Sequence, residues 1–159
     1  MLKTLIISLL LLGTIASAQD SSNFSKHRVF LEMMGHGGFG SVNYEKNLLK
    51  IENEKSHWTF RTGLSVLPGD KNSGYSLIFP NSINFLYGKT HMLEVGLGEV
   101  VTLNLKGNFF MRMMPVLGYR FMSKETPWFI RTTYTPFISH IWDIRMSHWG
   151  GLSIGYQFK

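Results

Sequence analysis

The stretch WTFRTGLSV, Trp58 to Val66, carries large apolar side chains at nearly every second position. Trp58, Phe60, Leu64 and Val66 share one face with Thr62. Thr59, Arg61, Gly63 and Ser65 share the other. A period of two belongs to a strand with one apolar face, because successive side chains of a strand point to opposite sides. The pattern recurs. MLEVGLG sets Leu93, Val95 and Leu97 against Glu94, Gly96 and Gly98. NFFMRMMPVLGYRF puts Phe109, Met111, Met113, Leu117, Tyr119 and Phe121 on one side. Arg112, Gly118 and Arg120 fall on the other, with Phe110, Met114 and Val116. WFIRTTYTPFI sets Trp128, Ile130, Tyr134 and Ile138 against Arg131, Thr133 and Thr135. LSIGYQF, Leu152 to Phe158, alternates in the same way just before Lys159.

Beyond Gln19 there is no amphipathic helical pattern. The chain reads as all-β, with strands over 28–35, 38–48, 57–67, 76–87, 91–104, 108–122, 127–139 and 149–158. About eight antiparallel strands of this length suit an up-and-down transmembrane β-barrel. GHGGFG, Gly35 to Gly40, is either a tight turn between the first two strands or a bend within one long strand, since glycine permits both. The connections sort by length. GKT and SKET are short on one side, and PGDKNSGY and HIWDIRMSH are longer on the other. LKIENEKS and LKG break that rule.

The N-terminus is different. Lys3, the apolar run Leu5 to Ile15 and the small residues Ala16-Ser17-Ala18 form a secretory signal peptide over residues 1–18, with cleavage expected before Gln19. The remainder, 19–159, is one domain. With no cysteine, it has neither disulfides nor a lipid-modified Cys, so a core, a partner or a membrane must hold it. Lys+Arg 16 exceed Asp+Glu 10 without forming any basic run. Nucleic acid is therefore not an expected partner.

Alternation alone does not say whether the apolar face points in or out. Two features favour out. Arg61, Arg112, Arg120 and Arg131 share their faces with Ser, Thr and Gly, and Glu45 and Glu94 are also on polar faces. A narrow lumen needs that mixture of small residues and mutually paired charges, whereas a solvated face would be rich in Lys and Glu. Aromatic residues also gather toward strand ends, as interfacial girdles require; Trp58, Trp128, Trp142 and Trp149 are the expected interface tryptophans. About eight strands leave room for side chains but no open pore. The expected interior is thus a plug with an ion-pair network of Arg61, Glu94, Arg112 and Arg131.

The signal peptide, the alternating strands and the final GGLSIGYQFK resemble small Gram-negative outer-membrane β-barrel proteins. That resemblance spans essentially the whole mature chain. It implies residence in the outer membrane after export, outer-membrane lipid as surroundings, and recognition of the last strand by the barrel-assembly machinery. Tyr156 and Phe158 would carry that assembly signal. Lys159 follows the aromatic residue on which the family's pattern ends.

The sequence offers little chemistry. Its six histidines lack the i, i+4 spacing of a helical zinc motif, and with no cysteine neither a metal nor a cofactor is expected. Ser139, His140, Asp143, Ser147 and His148 place hydroxyl, imidazole and carboxylate groups in one outer loop. A lipid-modifying acyl hydrolase or transferase could be built from them. GHGGFG is followed by a strand, not by the helix that a phosphate loop needs. A non-enzymatic envelope scaffold is the leading expectation. Behind it stand the lipid-modifying enzyme, a soluble periplasmic barrel holding an apolar ligand, and a small passive channel.

Overall fold

In the computed structural model, which describes residues 27–50, 55–68, 74–104, 107–123, 125–138 and 146–158, the alternating segments are strands. They are β1 (His27–Met34), β2 (Gly40–Lys50), β3 (Ser56–Leu67), β4 (Ser76–Gly88), β5 (His91–Asn104), β6 (Phe109–Met122), β7 (Trp128–Tyr134), β8 (Phe137–Ile138), β9 (Met146–Ser147) and β10 (Gly150–Phe158). Eight of them close a barrel in the order β1-β10-β7-β6-β5-β4-β3-β2, with every neighbour antiparallel. The last strand pairs with the first, Val29 opposite Tyr156 and Leu31 opposite Ile154, so the barrel has no free sheet edge around most of its girth.

GHGGFG is a connection between two strands. A single 3-10 turn at Gly35–Gly37 tucks into the barrel mouth and buries all three residues. Gly35 (φ 71°) and Gly38 (φ 79°) take left-handed backbone angles that suit glycine. Met34 N–H closes the hairpin on Phe39 C=O at 3.0 Å.

Prolines explain where the ladders break. The expected strand 127–139 is one line of chain interrupted at Thr135-Pro136. The β8–β9 pair continues the β7–β10 register beyond that point. In β4, Pro80 stands opposite Gly63; the β3–β4 pairing lapses there and resumes at Ser65 and Ile78. In β2 the register slips at Leu48, a bulge between Asn47 and Leu49.

The distribution of side chains is inverted relative to a water-soluble barrel. Leu31, Leu64, Val95, Leu97, Leu117, Ile130, Leu152 and Ile154 are exposed on the outer wall. Arg28, Glu32, Glu45, Arg61, Glu94, Arg120 and Arg131 are buried inside. Two small apolar clusters of the described residues share the interior. Phe30, Leu86, Met92, Met122 and Phe129 form one. Ile78, Val100 and Met114, with Leu67, form the other.

Candidate functional site

The interior charges form one continuous chain. Its residues come from β1 (Arg28, Glu32), β2 (Glu45), β3 (Arg61), β5 (Glu94), β6 (Arg120) and β7 (Arg131), each at an inward position of the strand alternation. Arg61 Nη2 donates to Glu32 Oε2. The other Glu32 oxygen accepts from Arg131 Nη1 at 3.0 Å. Arg131 grips Glu94 in a two-point fork, Nε to Oε2 and Nη2 to Oε1, both at 2.8 Å. Arg120 Nη2 also donates to Glu94 Oε2 at 3.0 Å. Arg120 in turn forks onto Glu45 at 2.6 and 2.8 Å. Arg28 ends the series, donating to Glu45 Oε1 at 2.7 Å and Asn47 Oδ1 at 2.9 Å.

All seven side chains are fully shielded. Buried charges cost several kcal/mol each unless they are paired and hydrogen-bonded. The planar guanidinium suits this place because it satisfies carboxylates from two directions at once. Aromatic rings close the arrangement: Arg61 and Arg131 lie 5.2 and 5.4 Å from the Phe30 ring centre, and Arg120 lies 5.1 Å from that of Phe129.

Four arginines face three glutamates in this set, so polar neutral partners take up the excess. Asn43 Oδ1 accepts from Arg61 Nε at 3.0 Å and Nη2 at 2.8 Å. His36, carried in by the mouth connection, meets Arg61 Nη1 through Nδ1 at 3.5 Å. A guanidinium has no lone pair to offer, so Nδ1 is the acceptor and the proton sits on Nε2. Burial, and next to it the Arg61 charge, push His36 down to about 3. It is therefore neutral at ordinary pH. Gly98 makes room for it: a Cβ there would come within 2.6 Å of His36 Cε1.

Arg61, Glu94 and Arg131 thus meet in one network. Arg112 does not join them. It has the inward parity of β6, but it stands near the N-terminal end of that strand, where residues 109–113 are all exposed. Parity sets the face, whereas height along the strand sets burial. Arg28 and Glu32 escape a reading of the sequence because Phe30 stands between them on the same face and masks its polar character, and His36 lies in the connection, where strand alternation does not apply. Arg120 and Glu45 are legible as polar-face residues, but alternation names no partner for either.

Trp58 and Trp128 are exposed on the outer wall, against Phe85 and Tyr156 respectively. Trp149 is half-buried and donates Nε1–H to Gly35 C=O at 2.9 Å, tying β10 to the mouth connection. Tyr156 and Phe158 face outward. Of the outer-loop residues, His148 is exposed and stacks on Tyr134, and Ser147 lies in β9. Ser139, His140, Trp142 and Asp143 lie outside the described residues, as do the signal peptide and its cleavage site. No group of three His, Cys, Asp or Glu side chains able to hold a metal occurs among the described residues.

Every carboxylate of the network accepts hydrogen bonds from guanidinium groups of two different arginines. Comparison with known proteins finds no matching family model, no similar curated protein and no similar solved structure.

Proposed function

We propose that the chain is a non-enzymatic integral barrel of the bacterial outer membrane, a lipid-embedded anchor or scaffold whose lumen is sealed by ion pairs. One observation carries this reading: the barrel is inside out. Its outer wall presents Leu31, Val95, Leu97, Leu117, Ile130 and Ile154 to the surroundings, while its interior holds Arg61, Glu94, Arg120 and Arg131. Water would penalise the first arrangement and repay nothing for the second. A hydrocarbon layer rewards both, because a closed barrel leaves few backbone groups unpaired and keeps its charges away from lipid.

A soluble carrier of apolar ligands needs an apolar cavity, and the described interior is shared by the charge network and two packed apolar clusters. An open channel needs a free lumen, and the network bridges six strands across it. On this reading Tyr156 and Phe158, which face outward at the end of β10, are the residues that assembly machinery would read before β10 pairs with β1.

The test is fractionation of the expressed protein followed by gel mobility in detergent, with and without boiling. Recovery with the outer membrane and a heat-dependent shift is expected. Recovery in the soluble periplasm without a shift would overturn the reading.

A further inference from the structure

A polar row crosses the outer wall. Thr62 of β3, Asn81 of β4 and Glu99 of β5 stand directly opposite one another across two ladders. All three take the outward parity of their strands, shared with Leu64, Ile83 and Leu97, and all three are half-buried. The row lies within the apolar wall: Phe79 and Ile83 flank Asn81 along β4, and Leu97 and Val101 flank Glu99 along β5. Its neighbours at either end, Tyr44 of β2 and Met113 of β6, are described as well. Among the described residues Glu99 is the only acidic side chain on the outward face of a strand, since Glu32, Glu45 and Glu94 point inward.

The row has a fixed order of donor and acceptor. Thr62 Oγ1 donates to Asn81 Oδ1 at 2.8 Å, which turns the amide oxygen toward β3. Gly88 N–H donates to Lys55 C=O, so even-numbered residues of β4 bond toward β3 and odd-numbered ones toward β5. The Phe79 carbonyl that accepts from Asn81 Nδ2 at 3.4 Å therefore lies on the β5 side. Asn81 Nδ2 thus stands toward Glu99 with a second N–H to give. The Glu99 carboxyl accepts no hydrogen bond and joins no ion pair among the described residues. A donor and an acceptor on neighbouring strands, about 5 Å apart, are left side by side in apolar surface, where each is costly until it is bonded.

We propose that this row is the contact between two copies of the barrel. Barrels inserted the same way up are related by a two-fold axis along the membrane normal. With that axis passing between Asn81 and Glu99, the rotation exchanges left and right, so Asn81 of each copy faces Glu99 of the other. Each Nδ2–H then donates to a carboxyl oxygen across the interface, twice by symmetry. Ile83 and Leu97, which oppose one another in the β4–β5 ladder, meet Leu97 and Ile83 of the second copy in the same way. The proposal rests on the membrane reading above. An ammonium headgroup fits less well, because the apolar wall continues on both sides of Glu99 along β5 and headgroups keep to the interface.

The experiment is cross-linking by a short bis-maleimide of the mature chain refolded into phosphatidylcholine vesicles at high lipid dilution. The chain has no cysteine, so one introduced residue reports one position. Ile83→Cys is expected to give a covalent dimer, and Ile154→Cys, on the opposite side of the barrel, is not. Adding Glu99→Leu or Asn81→Leu to the Ile83→Cys chain should lower the dimer yield about tenfold, the effect of two hydrogen bonds inside a membrane. Both changes set an apolar side chain against lipid, so the heat-shifted band persists. Mixing the two variants should regain part of the yield, because a mixed pair keeps one Asn81–Glu99 contact and sets Leu against Leu at the other. A yield no higher at position 83 than at 154, an unchanged yield in Glu99→Leu, or no recovery in the mixture would overturn the interface. So would loss of the cross-link when phosphatidylethanolamine replaces phosphatidylcholine, which would give Glu99 to an ammonium headgroup. Failure of the native chain to give a heat-shifted band would instead sink the membrane reading.

Discussion

Glu94 holds two guanidinium groups at once, Arg131 by a fork and Arg120 by a single bond. Replacing it with Gln leaves both short of a counter-charge in a dry interior. We expect Glu94→Gln to cost about 3–5 kcal/mol in urea unfolding from micelles, the usual penalty for breaking a buried pair from one side. Arg112→Gln, at an exposed position, should cost no more than about 0.5 kcal/mol. His36 adds a pH term. Its folded pKa of about 3 lies below its unfolded value of 6.5. The unfolded chain therefore takes up a proton that the folded barrel refuses. The stability this contributes is full above about pH 6.5 and is lost as pH falls toward 3, by about 1.4 kcal/mol per unit. His36→Gln should flatten the slope of stability between pH 7 and pH 5, measured against the native chain to subtract the carboxylates.

Strands here are shaped by which residues are absent as much as by those present. Gly155 on β10 lets the rings of its two cross-strand neighbours, Phe30 of β1 and Phe129 of β7, meet over it at 5.8 Å, and a Cβ there would come within 2.5 Å of Phe30 Cβ. Gly155→Val should destabilise the barrel by at least about 1–3 kcal/mol through overpacking and lower the yield of the heat-shifted band. Pro80 works in the opposite sense. Pro80→Thr supplies the missing donor opposite Gly63, and the new amide should be protected from hydrogen exchange once the β3–β4 ladder is continuous. A gain of about 1 kcal/mol is the expected size.

The molecule as a whole joins a wall of apolar side chains to an interior braced by ion pairs that link β1, β2, β3, β5, β6 and β7. Such a cross-link should make the plug rigid and impermeable. Planar bilayers containing the purified protein should show no stepwise ionic current, and Arg131→Ala with Glu94→Ala should be the variant that begins to leak. Steady conductance from the native chain would show that the plug opens.

Period-two alternation made eight strands and their two faces legible, because a strand's geometry leaves each residue only two directions. Strand ends came within a few residues where turn residues marked them, whereas Pro136 was readable as a proline but not as the point where the strand expected over 127–139 is interrupted. What the sequence could not show was partnership. Glu32 reaches Arg131 across 99 positions, and Glu45 reaches Arg120 across 75. Only closure of β10 onto β1 brings them together. The same holds for Arg112, whose parity matched the lumen but whose height placed it above the plug. Local periodicity determined which side of the wall each residue faces. The stagger and closure of the barrel decided which charges meet, because ion pairing depends on position along three dimensions and alternation supplies only one.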